Sequence, residues 1–265
     1  MLRILAWNLM HGGGPTRTAE AAILLAQARP DIVVLTEFRA ARGSQLLSAL
    51  ADAGLGHAAS APPARGGNTV TIAARWPLQN ATVPSPAPNG RALSCEIPAV
   101  GLSVLGVHVP DESAVSPRDR AWSATLAWAR GHADRPAVIA GDLNTSRTGI
   151  DPARENQTCE HCLGVLESLG FRDAWRAAHP GSTAVSWFGP CGERQRLDAA
   201  FVSRPLAETI ESAVYDAGCV ESGLSDHAVL AVQLRRELPE TRHDGWMAAG
   251  AEHEKRLKNG GKLVL

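Results

Sequence analysis

Short, unbroken apolar runs set the strongest limit on how this chain can fold. Ile32 to Leu35 and Ala137 to Ala140 carry no polar residue. They are too short to cross a bilayer and read as strands rather than helices. A strand with no polar face is buried on both sides, so each needs a covering layer above and below.

The sequence around them supplies candidates for those layers. Leu2 to Asn8 alternates like a strand and runs into a glycine-rich turn, Gly12 to Gly14. Thr18 to Arg29 is rich in Ala and Leu and reads as a helix stopped by Pro30. Further helices are expected over Gln45 to Ala53, Arg118 to Gly131 and Cys162 to Leu169. Further strands are expected over Thr69 to Ala74, Ala92 to Ile97, Leu102 to His108, Leu197 to Val202 and Ala228 to Leu234. Thr36 and Glu37 are read as closing the second strand, and Pro84 to Pro88 as a loop. Without a repeat or a clear linker, residues 1–238 form one expected catalytic domain, followed by a partly helical or disordered tail, 239–265. Every lysine of the chain (Lys255, Lys258, Lys262) lies in that tail.

Composition narrows the function classes. With 5% aromatics, the core must come mainly from Ala, Val, Leu and Ile. Formal net charge is −1, so no global positive field attracts a polyanion, and any nucleic acid must be held by a local basic strip. No membrane span and no secretory leader are read, which makes the cytoplasm the default compartment. Five cysteines, an odd number, argue against a disulfide framework.

Polar residues able to bind metal or move protons sit where the apolar strands stop: Asn8, Glu37, His108, Asp142 with Asn144, Asp198, and Asp226 with His227. Taken singly, each has an ordinary explanation as a turn former, helix cap or surface charge. Together they match what phosphate ester hydrolysis needs. The anionic oxygens of a phosphodiester repel a nucleophile, and a hard divalent cation held by carboxylates relieves that repulsion. Glu37 suits that task. Asp142 and Asn144, two apart on an extended segment, can face one site, one handling water and the other a phosphate oxygen. A histidine paired with a carboxylate can carry positive charge towards a developing oxyanion.

In order along the chain, Trp7-Asn8, Leu35-Thr36-Glu37, Gly106-Val107-His108, Gly141-Asp142-Leu143-Asn144, Arg196-Leu197-Asp198 and Ser225-Asp226-His227 resemble the endonuclease/exonuclease/phosphatase superfamily. The likeness covers Leu2 to Leu234. It implies an α/β fold, a four-layer sandwich of two packed β-sheets flanked by helices. It implies Mg²⁺ or Mn²⁺ as cofactor, with Glu37 as principal ligand and Asn8 and Asp226 beside the metal. Asp142 would orient and activate water, Asn144 would contact the phosphate, and His227, oriented by Asp198, would stabilise the phosphoryl oxygens. His108 would sit by the leaving group or phosphate. The stretch from Phe171 through Ser186-Trp187-Phe188 to Arg196 is similar to exonuclease III-like members.

Two features depart from those members. They usually carry a tyrosine where this chain has His108, and their segment corresponding to the one between Trp187 and Arg196 is longer. The expected activity is a DNA nuclease. A phosphatase or phosphodiesterase for a small molecule or lipid headgroup is the alternative, and a non-catalytic binding module is a third. Among weaker signals, Cys159-Glu160-His161-Cys162 has the spacing of a zinc half-site and could take Cys191 as a further ligand. Gly12 to Gly14 lacks the Lys-Ser/Thr of a phosphate-binding loop. Arg39, Arg42, Arg65 and Arg75 could supply phosphate contacts.

Overall fold

The computed structural model describes residues 1–12, 15–111, 115–152 and 159–237. Gly13, Gly14 and the tail from 238 onward lie outside the described residues. Along the chain the elements are β1 (Leu2–Asn8), α1 (Pro15–Ala28), β2 (Ile32–Arg39), α2 (Ser44–Asp52), β3 (His57–Ser60), β4 (Asn68–Ala74) and β5 (Gln79–Thr82). Then come β6 (Ala92–Ile97), β7 (Leu102–His108), α3 (Val115–His132), β8 (Ala137–Asp142), α4 (Glu160–Ser168), β9 (Arg172–Asp173) and α5 (Ala174–Ala178). The last are β10 (Trp187–Phe188), β11 (Arg194–Gln195), β12 (Asp198–Val202), β13 (Ile210–Asp216), α6 (Gly218–Glu221) and β14 (Val229–Leu234).

The strands form two six-stranded sheets, ordered β13-β14-β1-β2-β4-β3 and β5-β6-β7-β8-β12-β9, with β10-β11 as a separate hairpin. Strand alternation assigns each side chain to a layer. Ile4, Ala6, Val34, Val70 and Ile72 of the first sheet meet Leu93, Cys95, Val104, Val138 and Ala200 of the second. Leu5, Trp7, Val33 and Leu35 point the other way, onto Leu25 of α1 and Leu46 and Leu50 of α2. Leu105, Val107, Ile139 and Phe201 pack outward onto Trp122 and Trp128 of α3 and Leu163 and Leu166 of α4. The result is the four-layer α/β sandwich, helix on sheet on sheet on helix. Both apolar runs sit in its middle strands, β2 and β8, where the sequence required cover on both faces.

One parallel pair at the centre of each sheet positions the site. In the first sheet β1 and β2 run parallel, with Asn8 opposite Thr36. In the second β7 and β8 run parallel, with His108 opposite Asp142. The C-terminal ends of all four strands therefore open at one end of their sheets. Antiparallel neighbours begin where these strands end, so Asp198, the first residue of β12, faces Asp142. The expectation that every polar site residue follows a strand is thus corrected. Asp198 opens β12, and Asp226 and His227 precede β14.

A second correction concerns β2, which does not close at Glu37. It continues to Arg39 through a bulge between Leu35 and Phe38, and Glu37 takes a left-handed φ of 53°. A bulge re-aims one side chain without ending the strand. Here it turns the carboxylate towards the end where β1, β7 and β8 terminate. The unforeseen strands β3 (HAAS) and β5 (QNAT) lie at sheet edges and carry little apolar signal.

Candidate active site

Asp142, at the end of β8, is the hub. Asn8 Nδ2 donates to its Oδ2 at 2.9 Å, and the backbone N–H of Asn144 donates to Oδ1 at 3.0 Å. The nearest ring nitrogens of His108 and His227 lie 3.8 and 3.9 Å from Oδ2. Asp142 is 1% exposed. Burial pushes its pKa up to about 7, against the pull of His227 and with a further push from Asp198.

His227 and Asp198 form a tight buried pair, Nδ1 to Oδ2 at 2.8 Å. Burial works against a charged imidazole, but the neighbouring Asp198 carboxylate, its hydrogen bond, and Asp142 and Asp226 together raise the pKa to about 10. The ring is therefore an imidazolium at neutral pH. Its backbone is held as well. Ser225 Oγ donates to Asn8 O at 2.6 Å and accepts the His227 N–H at 3.1 Å, and Trp7 Nε1 donates to His227 O at 3.1 Å. The other Asp198 oxygen, Oδ1, is buried with no hydrogen-bond partner among the described residues. Its charge is balanced chiefly through His227.

Glu37 joins the cluster through His108. Its Oε2 accepts the His11 backbone N–H at 2.7 Å and lies 2.8 Å from His11 Nδ1. Its Oε1 lies 3.8 Å from His108 Nε2. Arg91 Nη1 is within 3.0 and 3.2 Å of the two ring nitrogens of His108. A guanidinium only donates, so the ring presents a lone pair to it. Burial, then Arg91, His227 and His11, drive the His108 pKa well below its ordinary value, which leaves the ring neutral. Asn144 turns its amide inward. Nδ2 donates to Val109 O at 2.8 Å and leans on Asp142 Oδ2 at 3.4 Å. Asp226 Oδ2 accepts from Trp187 Nε1 at 3.0 Å, and its Oδ1 lies 4.0 Å from His227 Nε2.

Asn8, Glu37, His108, Asp142, Asn144, Asp198, Asp226 and His227 thus join one linked cluster. Reading the sequence missed Arg91, His11, Ser186 and the part played by Trp187. Arg91 looks like the chain's many surface arginines until the β6–β7 pairing sets it beside His108, whose N–H bonds to Arg91 O at 2.8 Å. Trp187 is half-buried and reaches Asp226. Of the arginines proposed for phosphate, Arg39 is tied to Asn68 and Arg75 to Asp31.

For a divalent ion the donor chemistry fits. Glu37, Asp142 and Asp226 present carboxylate oxygens, the hard donors that Mg²⁺ prefers. The Asn8 carbonyl accepts the Met10 N–H at 2.9 Å, which leaves its remaining lone pair for a nearby cation. Among the described residues, the three acidic and histidine side chains whose atoms all lie within 4.8 Å of one another are Asp142, Asp198 and His227. Protonated His227 has no lone pair to give, so that trio holds a proton rather than an ion. The cysteine half-site gains no complement. Asp119 lies 3.9 Å from Cys159 Sγ and His161 3.5 Å from Cys162 Sγ, but among the described residues no three of these are mutually within 4.8 Å. Burial first, then nearby acidic groups, pushes the Cys162 thiol up to about 12, and Cys191 is exposed on the turn between β10 and β11. Among the described residues no helix is long and apolar enough to cross a membrane.

Solved structures share this architecture. A 3′ phosphatase from Neisseria, bound to a product DNA hairpin, is 20% identical with a TM-score of 0.75, over 89% of this chain and 100% of that one. An AP endonuclease from Archaeoglobus fulgidus gives the same identity, TM-score and coverage. A 3′–5′ exonuclease from Neisseria meningitidis is 21% identical with a TM-score of 0.72, again over 89% and 100%. At such identities they speak to the fold. The sequence matches no curated protein. The profile of the endonuclease/exonuclease/phosphatase family matches residues 5–227, most of the chain and all of the cluster described above, and the chain belongs to that family.

Proposed function

We propose that this chain is a divalent-metal-dependent phosphoester hydrolase acting on nucleic acid; the observation that carries the reading is a buried aspartate, Asp142, beside the His227 imidazolium and linked through His108 to the Glu37 carboxylate. Glu37 would hold a Mg²⁺ or Mn²⁺ ion, with Asn8 and Asp226 beside it. Such an ion supplies Lewis-acid charge at the phosphoryl oxygens. Asp142, raised to about 7, gives up and takes back a proton near neutral pH, which suits the base that deprotonates an attacking water. Asn8 and the Asn144 backbone fix the direction of its oxygens. His227 keeps its proton through neutral pH and offers Nε2–H to the oxyanion that develops at phosphorus. Asp198 fixes the tautomer by accepting from Nδ1. Arg91, beside neutral His108, adds a second positive group near Glu37 and Asp142.

Support for nucleic acid as substrate comes from the endonuclease/exonuclease/phosphatase family and from neighbours described as a 3′ phosphatase bound to a product DNA hairpin, an AP endonuclease and a 3′–5′ exonuclease. The test is initial rates with Mg²⁺ on duplex DNA, single-stranded DNA, abasic DNA, RNA and small phosphomonoesters. Cleavage of at least one nucleic acid is expected. Phosphate release from small esters alone would move the reading to a small-molecule phosphatase.

A further inference from the structure

We propose that Trp187 is a positioning residue: its indole N–H holds the Asp226 carboxylate in place beside His227, so that the β10–β11 hairpin braces the site it borders. The inference rests on the hydrolase reading above and adds a residue to it. Trp187 Nε1 donates to Asp226 Oδ2 at 3.0 Å, which turns the other oxygen, Oδ1, towards His227 Nε2 at 4.0 Å. With its side chain 35% exposed, Asp226 would otherwise rotate freely in solvent.

The indole itself has little freedom. A Cβ added at Gly189 would fall 2.7 Å from Trp187 Cη2, so the indole abuts a position that only glycine leaves open. The backbone is tied to the same segment. Trp187 bridges His227, Phe188 N donates to Asp226 O at 2.9 Å, and Ala228 N donates to Ser186 O at 2.7 Å. Ser186 extends the brace to the second carboxylate. Its hydroxyl accepts the N–H groups of Leu197 and Asp198, both at 2.9 Å. Ser186, just before β10, and Trp187, its first residue, therefore set Asp198 and Asp226, the two carboxylates that flank His227.

Trp187→Phe removes the N–H and keeps an aromatic ring. It should lower kcat roughly tenfold, because a misdirected group near the reacting atoms costs rate more than binding, while KM stays within about twofold. The same substitution in an Asp226→Ala background should cost almost nothing more, since the residue acts through Asp226. Independently of activity, the Trp187 indole ¹H–¹⁵N resonance, assigned by its loss in Trp187→Phe, should shift clearly in Asp226→Ala and stay in place in Glu37→Gln. Equal losses in both backgrounds, or an indole resonance indifferent to Asp226→Ala, would overturn the proposal in an active enzyme. An intact indole signal in a protein that hydrolyses no phosphoester would overturn the hydrolase reading, and the proposed role with it.

Discussion

At the level of single residues, the candidate site sets three buried groups at different protonation states within a few ångströms. His227 is charged, His108 is neutral, and Asp142 lies near the balance point. Asp198 does most to raise His227. Asp198→Asn should therefore bring the imidazole titration down by at least a unit, read by ¹H–¹³C NMR, and lower kcat by roughly a hundredfold or more through loss of charge and tautomer control. An unchanged His227 titration would contradict this assignment. The same pair makes a stability prediction. His227 has a folded pKa raised above its ordinary 6.5, so its contribution is fully present below about pH 6.5 and is lost as pH rises towards 10. The stability gap between the wild type and His227→Gln, measured by urea unfolding, should narrow across that window. A gap that stays flat from pH 6.5 to 10 would show that the imidazolium contributes no pH-dependent stability. At this scale the sequence was informative about residue types and silent about partners. Nothing in it distinguishes Arg91 from Arg75, yet one faces His108 and the other is paired with Asp31.

At the level of elements, alternation and apolar runs located most of the framework. β1, β6 and β7 occupy the ranges expected of them. Edge strands escaped because an exposed edge needs no apolar face, and the bulge in β2 escaped because backbone twist leaves no mark on composition. Glu37 could be read as a candidate ligand, but the bulge that aims it could not. Glycine matters at one contact between the sheets. A Cβ at Gly106 in β7 would meet Val70 Cγ1 at 2.7 Å and Val34 Cγ1 at 2.9 Å. Gly106→Ala should therefore overpack the interface between the layers and cost about 1–3 kcal/mol, measured by denaturant unfolding. A change below a few tenths of a kcal/mol would mean that the sheets can separate slightly without penalty.

For the whole molecule, the convergence of distant motifs follows from topology. One parallel pair in each sheet brings Asn8, Glu37, His108 and Asp142 to one end, and antiparallel neighbours return Asp198 and His227 to the same place. Nucleic acid would meet this end of a molecule with net charge −1, where the short hairpin β10–β11 lies beside the site. Binding should be weak and salt-sensitive, because phosphate contacts release counterions as they form. Little preference for an abasic site is expected, since the short turn leaves little protein to hold a flipped sugar. Matched duplexes with and without an abasic analogue, compared at low and moderate salt, test this, and a large abasic preference would contradict it. The central claim is that Glu37 serves a metal-dependent hydrolysis centred on Asp142. The most direct measurement is turnover on a nucleic-acid substrate as Mg²⁺ is titrated, for the wild type and Glu37→Gln. The account predicts no turnover in excess chelator, recovery with Mg²⁺, and for the variant a weaker Mg²⁺ response with turnover down roughly a hundredfold at unchanged fold stability. Full wild-type turnover in excess chelator, or a variant indistinguishable from it, would contradict the account.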